Sequence, residues 1–348
     1  ATGIPTNAVI YPRTVSQDVP GPQARGNLSA TGTYGAAQAP FVPGGGGQLQ
    51  KNMKLSLSRE KFDDRRKLLQ QLDRLKRQSH ASSNVSALSE IQEQAYQLLL
   101  GGGISDALDL TQEDSKTIAS YDTSRFVRSD NWDKVSRGKR GYYSAQAKTI
   151  GKLLLLARRL CEAGCGFVTI HAGYAGVWDM HADGNNLNMT DGMEAVGRSF
   201  DHAVAAFIED VEARGLSEKI MLVATGEMGR TPKINKDAGR DHYPAAGSVL
   251  LAGAGIAEGA VIGATDKHGT EPKTRPWRPE DFAASIYRAL GLDPHTTHFP
   301  RLVRPTPIAK GTVIEVVQEM QNSVGLTVFK TITPAEGRKK GGWVKLQT

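Results

Sequence analysis

Residues 143–171 read YSAQAKTIGKLLLLARRLCEAGCGFVTIH, and this stretch decides the fold. Its apolar residues recur at helical spacing as far as Ala163, a glycine follows, and a short apolar run from Phe167 to Ile170 then ends at His171. A helix that stops at a glycine and leads into a short apolar strand is typical of α/β proteins. The sequence therefore predicts a helix that ends at Ala163 and a strand over 167–170.

The same alternation continues towards the carboxyl terminus. The pattern predicts a long helix from about 190 to Arg214, strands at Ile220–Ala224 and Ser248–Ala252, and a helix at Glu280–Leu290. Helices that alternate with short apolar strands indicate an α/β domain with a mostly parallel sheet flanked by helices. Ligands bind beyond the carboxyl ends of such strands. We therefore expect functional residues after the first two strands and just before the third.

The segments before residue 143 have a different character. Residues 1–50 are rich in Gly, Pro, Ser and Thr without strand or helix periodicity, which predicts an extended arm or a surface excursion. Helices are predicted at 58–77 and 84–100, with a looser helical pattern at 104–120. We expect the α/β domain to occupy 51–316 and a basic tail to occupy 317–348.

The distribution of basic residues indicates whether the chain binds nucleic acid. The 348 residues carry a net charge of +7 and a pI near 9.3, and ten Lys or Arg fall between Lys51 and Arg77. Apolar residues recur among those charges at helical spacing, which favours the solvated face of an amphipathic helix over a nucleic-acid arm. They are Phe62, Leu68, Leu69, Leu72 and Leu75. No nucleic-acid partner is expected, because aromatic residues for base stacking do not interleave with the charges.

The length of the apolar runs and the number of cysteines exclude two further classes of structure. The longest apolar run, around Leu153 to Ala157, is far too short to span a bilayer, so no membrane span is expected. Cys161 and Cys165 are the only cysteines, too few for a disulfide framework and without zinc-ligating neighbours. We interpret them as small core residues.

Three polar clusters follow or precede the predicted strands. Trp178-Asp179-Met180-His181 follows the first, and an extended backbone would put its carboxylate and imidazole on one face. Glu227 follows the second between glycines, and Asp241-His242 precedes the third. Carboxylates and imidazoles that converge on one sheet edge suit a divalent metal, although a surface hydrogen bond would also account for each pair alone.

These motifs carry a resemblance to a known family. They are Trp178-Asp179-x-His181, Gly226-Glu227-Met228-Gly229-Arg230-Thr231-Pro232, Gly239-Arg240-Asp241-His242, Gly263-Ala264-Thr265-Asp266 and Asp281-Phe282-Ala283-Ala284-Ser285-Ile286-Tyr287. In order and spacing, residues 145–316 resemble the family of unknown function DUF1501, which is grouped with the alkaline-phosphatase and sulfatase-like superfamily. A run at Asp64–Leu69 extends the similarity upstream, so that only about the last thirty residues lack a counterpart.

The resemblance implies a metal site and its ligands. In that superfamily two metal ions flank a phosphate or sulfate ester, and one of them takes an Asp and a His from one loop and a His from a later one. The resemblance therefore assigns Asp179, His181 and His242 to a divalent metal, which could be Zn, Mn, Ca or Mg. Glu227 and Asp241 are further candidate ligands, whereas Met228 stands where a second metal would require a His. Export to the periplasm or the cell exterior is also implied.

Other positions complete the hypothesis. Arg230 and Arg240 are the candidate catalytic anion-binding residues, because guanidinium geometry suits tetrahedral oxyanions. Salt bridges to Glu227 and Asp241 are an equally good interpretation of both. His171 could support a ligand, His202 is predicted to be a surface or packing residue, and His268 lies in a predicted turn.

The function that follows is a metal-dependent hydrolase of a small phosphate or sulfate ester, including a sulfated or phosphorylated glycan. The superfamily's first-strand Asp and its Ser, Thr or Cys nucleophile have no counterpart in residues 1–50, from which we expect the chain to be an amino-terminally shortened piece. A non-catalytic member of the fold that binds an anionic glycan or a protein is the alternative.

Overall fold

The computed structural model describes residues 3–21, 30–31, 38–44, 56–79, 84–128, 137–171, 174–184, 186–256, 259–295, 297–298, 306–307 and 325–330. The helices are α1 (Pro12–Val15), α2 (Arg59–Ser79), α3 (Asn84–Gly101), α4 (Gly103–Leu108), α5 (Ser115–Ser120), α6 (Arg137–Ala163), α7 (Met189–Gly192), α8 (Arg198–Ala213) and α9 (Pro279–Ala289). A π-helical turn, Met193–Gly197, joins α7 to α8, and 3-10 turns cover Leu110–Gln112 and Ser124–Phe126.

The strands are β1 (Asn7–Ile10), β2 (Phe167–Ile170), β3 (Ile220–Thr225), β4 (Gly229–Arg230), β5 (His242–Tyr243), β6 (Leu250–Gly253), β7 (Thr297–His298), β8 (Thr306–Pro307) and β9 (Gly325–Lys330). The main sheet has the order β1-β2-β9-β3-β6, and the pairs β4-β5 and β7-β8 form small ribbons. The predicted strand at 167–170 is confirmed, and the other two are confirmed to within two residues at either end.

Helices cover both faces of this sheet. Strand β3 alternates its side chains between the faces, because Leu222 belongs to the cluster around α6 and α8 while Val223 belongs to a second cluster. Phe282 and Ile286 of α9 pack against that second cluster. The prediction of an α/β sheet flanked by helices is therefore confirmed at the level of mixed helix and strand.

The prediction of a mostly parallel sheet is wrong. Among the described strands only β1 and β2 pair in parallel, whereas β2-β9, β9-β3 and β3-β6 are antiparallel. The connection from β3 to β6 contains the β4-β5 ribbon and no helix. A parallel return requires a crossover that is usually helical, so this chain comes back in the opposite direction.

The reversal of β6 explains why the site forms. Strands β2 and β3 run in the same direction, since both are antiparallel to β9 that lies between them, and both end at the same sheet edge. Because β6 is antiparallel to β3, it starts at that edge. Residues after β2, after β3 and before β6 can therefore meet, whereas a parallel β6 would begin at the far edge.

Two segments predicted to lie outside the sheet contribute strands to it. Asn7–Ile10 pairs with β2 and is buried on three of its four residues, a strand that the absence of strand periodicity in residues 1–50 did not indicate. Residues Gly325–Lys330 supply β9 from within the predicted tail. Arg338 to Lys340 lie outside the described residues.

The helical predictions hold with smaller corrections. Helices α2, α3 and α9 match the predicted spans to within about two residues, and the 104–120 segment divides into α4, a 3-10 turn and α5. Cys161 and Cys165 are buried thiols in the core, as predicted. On α2, Phe62 packs edge-on against Tyr96, but Leu68 is 57% exposed and does not belong to a buried stripe.

No helix in the described part of the chain combines the length and apolar character needed to cross a bilayer.

Candidate metal centre

The carboxylate of Asp179 is the centre of a cluster at the sheet edge. Its Oδ1 lies 2.7 Å from Nε2 of His242 and also accepts a hydrogen bond from Nη2 of Arg230. Its Oδ2 lies 3.0 Å from Nε2 of His181. One ligand atom each from Asp179, His181 and His242 lies within 4.8 Å of the other two, a grouping able to hold a metal ion.

The β4-β5 ribbon determines which side chains reach Asp179. In its antiparallel register Arg230 pairs with His242 and Gly229 pairs with Tyr243. Residues directly opposite each other in such a pair project to the same side of the ribbon. Arg230 and His242, twelve positions apart in the sequence, consequently approach the same carboxylate oxygen.

Asp179 and His181 are held by the residues between and around them. Met180 is buried in the core cluster that also contains Val177 and Leu187. The ring of Trp178 contacts the ring of Phe200 edge to face, with ring centroids 5.5 Å apart. The backbone is not extended here, because the His181 amide donates to the Asp179 carbonyl at 3.0 Å. Burial of the intervening apolar side chains turns the Asp and His side chains towards the edge.

The 231–241 loop closes beneath His181. Nδ2 of Asn235 donates to the His181 carbonyl at 2.9 Å, and the Arg240 amide donates to the Met180 carbonyl at 3.1 Å. A Cβ on Gly239 would overlap backbone atoms of His181, so only glycine allows this approach. The loop thereby sets the distance between the two histidine-bearing segments.

The charge on Asp179 is strongly stabilised. Burial raises the pKa of this carboxyl, but hydrogen bonds from Arg230, His242 and His181 and the charge of Arg230 outweigh burial and lower the pKa to about 2. The group is therefore an anion at any physiological pH. An anionic oxygen beside two imidazole nitrogens is a ligand set suited to transition metals.

The structure gathers three of the five predicted metal ligands. Glu227 is exposed and is not part of the group formed by Asp179, His181 and His242. Asp241 is also exposed, and its Oδ1 accepts from Nδ2 of Asn235 at 3.1 Å. Neither residue is placed with the three, and metal binding by either stays a prediction.

The two arginines have partners other than those considered from the sequence. Arg230 is buried and pairs with Asp179 instead of Glu227. Nη1 of Arg240 donates to the carbonyls of Thr231 and Pro232, at 2.9 and 3.0 Å, and thus braces its own loop. Arg230 therefore orients a candidate ligand, and its predicted contact with substrate would require it to leave that partner.

Three other histidines singled out from the sequence are not part of the group that can hold a metal. His202 contacts the Ser120 carbonyl at 2.8 Å and the ring of Phe126, in agreement with a surface or packing role. The ring of His171 contacts the ring of Tyr11 at a tilt of 59°, with ring centroids 5.6 Å apart. His268 lies in a turn, as predicted, where its amide donates to Oδ1 of Asp266.

Sequence reasoning missed Asn186, Lys139 and Asn235. Nδ2 of Asn186 lies 3.3 Å from Nε2 of His181, and Oδ1 of the same residue accepts from Nζ of Lys139. Polar residues in loops have no periodicity that reveals a partner, and Lys139 is 47 positions from Asn186. The one available signal was the density of Asp, Gly and Asn in 183–188, which marks a turn close to the His181 position.

Comparison with known proteins gives one match. The family model described as "Protein of unknown function (DUF1501)" matches residues 3–319 of the chain. No curated protein and no solved structure matches significantly. The matched span includes β1 and the whole of the Asp179 cluster.

Proposed function

We propose that this chain, which belongs to the DUF1501 family, binds a divalent metal through Asp179, His181 and His242 and hydrolyses a phosphate or sulfate ester. The proposal includes membership of the alkaline-phosphatase and sulfatase-like superfamily. It also includes export from the cytoplasm and a small anionic ester or a sulfated or phosphorylated glycan as substrate.

The observation that carries the proposal is the meeting of three ligand atoms from two distant segments. Asp179 Oδ2 and His181 Nε2 are 3.0 Å apart, and the amide hydrogens of Asn186 also face that nitrogen. The oxygen of an ionised Asp179 and the lone pair of a deprotonated Nε2 can bind one cation together, so the residues present fit a metal.

The ligand types narrow the choice of metal. Imidazole nitrogens suit zinc and other transition metals, carboxylates suit manganese as well, and calcium takes oxygen ligands almost exclusively. Among Zn, Mn, Ca and Mg, the set of two histidines and one aspartate therefore favours Zn or Mn. When bound, such a metal would act as a Lewis acid on an ester oxygen and activate water.

The residues of the chain itself favour an anionic substrate. Arg230 occupies Oδ1 of Asp179 and leaves Oδ2 directed towards His181, so the guanidinium orients the carboxylate without covering it. One carboxylate faces one buried guanidinium, and the two charges cancel. Addition of a divalent cation would make the centre positive, which complements a phosphate or sulfate group.

A non-catalytic role in anion binding is the second candidate. Among the described residues, Glu227 lies outside the single group that can hold a metal. A second metal normally stabilises both the attacking and the leaving oxygens of an in-line displacement. One centre alone can bind an anion without turning it over.

The test combines metal analysis with hydrolysis. The purified chain should bind close to one Zn²⁺ or Mn²⁺ and, when loaded, should hydrolyse p-nitrophenyl phosphate or p-nitrophenyl sulfate. The double variant His181→Ala, His242→Ala should lose both properties. His268→Ala, which changes an exposed histidine in another loop, serves as the matched control and should retain both.

The outcomes separate the two candidates. Metal binding and anion binding without any turnover would reject the hydrolase and favour the binding protein. Full metal stoichiometry in the double variant would reject the metal centre itself.

A further inference from the structure

We infer that Asn186 is the hydrogen-bond donor that recognises an oxygen of the bound oxyanion, an inference that rests on the proposed metal centre. Asn186 is 7% exposed and follows His181 by five positions. Its Nδ2 lies 3.3 Å from Nε2 of His181, the same nitrogen that lies 3.0 Å from Oδ2 of Asp179. The amide nitrogen of Asn186 and the carboxylate oxygen of Asp179 thus contact the same candidate ligand nitrogen.

The orientation of this amide is determined by Lys139. The Lys139 ammonium on α6 contacts Oδ1 of Asn186, and an ammonium can only donate. The amide oxygen must therefore face Lys139, and the NH2 group must face His181. The backbone amide of Asn186 is held as well, since it donates to Oδ1 of Asp183 at 3.0 Å.

A glycine leaves room for this pair. Gly176 has φ of +80°, and a Cβ at that position would lie 2.7 Å from both Nζ of Lys139 and Oδ1 of Asn186. Most side chains are strained at such a φ and would also separate the two groups. Gly176, Lys139 and Asn186 lie in three segments of the chain, and together they direct the NH2 group of Asn186 towards Nε2 of His181.

The chemistry of the NH2 group identifies what it can bind. Once Nε2 of His181 gives its lone pair to a metal, that nitrogen offers the amide hydrogens no acceptor. The NH2 group, which among the described residues contacts this nitrogen, then becomes available to a ligand. A tetrahedral oxyanion such as phosphate or sulfate offers an oxygen to the metal and a neighbouring oxygen to the amide.

Phosphate binding to the Mn²⁺-loaded full chain, measured by titration calorimetry, tests the inference. Loss of a hydrogen bond to a charged group should weaken phosphate binding about 10- to 100-fold in Asn186→Ala. Mn²⁺ affinity should be the same as in the unsubstituted chain. Inorganic sulfate, titrated in the same way, should show the same dependence on Asn186.

Two further variants sharpen the experiment. Asn188→Ala removes an amide whose Oδ1 accepts from the Asp191 amide at 2.8 Å and caps α7, so phosphate affinity should not change. Lys139→Met keeps the side-chain amide of Asn186 but removes the ammonium that orients it. Phosphate affinity should therefore fall by less than in Asn186→Ala. Lys139→Met tests the inference even if Asn186→Ala does not fold.

Each outcome has a separate meaning. Unchanged phosphate affinity in both Asn186→Ala and Lys139→Met would overturn the inference, as would an equal loss of Mn²⁺ affinity in Asn186→Ala. A chain that binds no metal would overturn this inference and the proposed function together. Phosphate binding that depends on Asn186, without hydrolysis of any ester, would support the inference and reject only the hydrolase.

Discussion

The Asp179 centre and a second charged cluster, built around Arg158, differ in the groups that surround their carboxylates. Arg158 is fully buried, and its guanidinium contacts Glu113 at 2.9 Å, Glu162 at 2.6 Å and Asp210 at 2.8 Å. Arg159 and Arg214 contact the same acids, so three arginines meet three carboxylates. Asp179, by contrast, is one carboxylate shared by Arg230 and two imidazoles.

This difference distinguishes a structural cluster from a candidate binding centre. In the Arg158 cluster the carboxylates contact guanidinium groups, which remain charged and cannot bind a metal. It joins α6 to α8 and to the segment that follows α4. In the Asp179 centre the imidazole nitrogens can exchange a proton for a metal, so the cluster can accept a ligand without leaving a buried charge unpaired.

The largest expected effect comes from breaking the Arg158 cluster. Arg158→Met should lower the free energy of unfolding by about 3–5 kcal/mol, because it leaves Glu113 and Asp210 buried without their central partner. Urea unfolding followed by circular dichroism measures the loss. Arg198→Met removes a 61% exposed arginine from a pair with Glu194 and should cost less than about 1 kcal/mol. Equal losses in the two variants would contradict the structural role of Arg158.

A smaller effect is expected from a methyl group beside the metal centre. Gly239→Ala places a Cβ against the His181 backbone and should destabilise the fold by about 1–3 kcal/mol. Because His181 must move, Zn²⁺ affinity should fall as well, as measured by competition with a chromogenic chelator. Gly44→Ala adds the same methyl group where no atom lies within 4 Å, and it should alter neither quantity. Unchanged Zn²⁺ affinity in Gly239→Ala would show that the loop does not position His181.

Acid should weaken the contribution of Asp179 to stability. Its pKa falls from 3.8 to about 2 on folding, so the unfolded chain binds the proton first as the pH drops. The stabilisation is complete above about pH 4 and disappears as the pH falls towards 2, with a total of about 1–2 kcal/mol. Urea unfolding of the metal-free chain and of Asp179→Asn between pH 5 and pH 3 measures it. The difference in unfolding free energy between the unsubstituted chain and Asp179→Asn should become smaller as the pH falls. A difference that does not change with pH would contradict the lowered pKa of Asp179.

The smallest expected effect is at His202, which belongs to neither cluster. His202→Ala removes a contact of 2.8 Å to the Ser120 carbonyl and should cost at most about 1 kcal/mol of stability. Metal content and any ester hydrolysis should remain those of the unsubstituted chain. A loss of bound metal in this variant would mean that the assigned centre is not the metal site.

Local pattern was sufficient to predict elements and candidate ligands. The helical spacing before Ala163 and the apolar run at 167–170 depend on short-range periodicity, and both appear in the structure. Asp179, His181 and His242 could be singled out because their clusters follow or precede predicted strands and resemble the ligand pattern of the superfamily. Residues 7–10 and 325–330 were missed because three apolar residues in a short segment, amid Gly, Pro and basic residues, predict no strand on their own.

The sequence by itself determined the main helices, strands β2, β3 and β6, and the candidate ligands Asp179, His181 and His242, since these depend on residue type and near neighbours. Only the tertiary structure decided strand direction, because β9 enters between β2 and β3 from a segment about 100 residues downstream of β3. It also decided that Arg230 pairs with Asp179 and that Lys139 orients Asn186, since hydrogen bonds between distant side chains depend on register and packing. Glu227 and Asp241 share the residue types of the ligands, but the ribbon register directs His242 towards Asp179, and neither of the other two joins the group that can hold a metal.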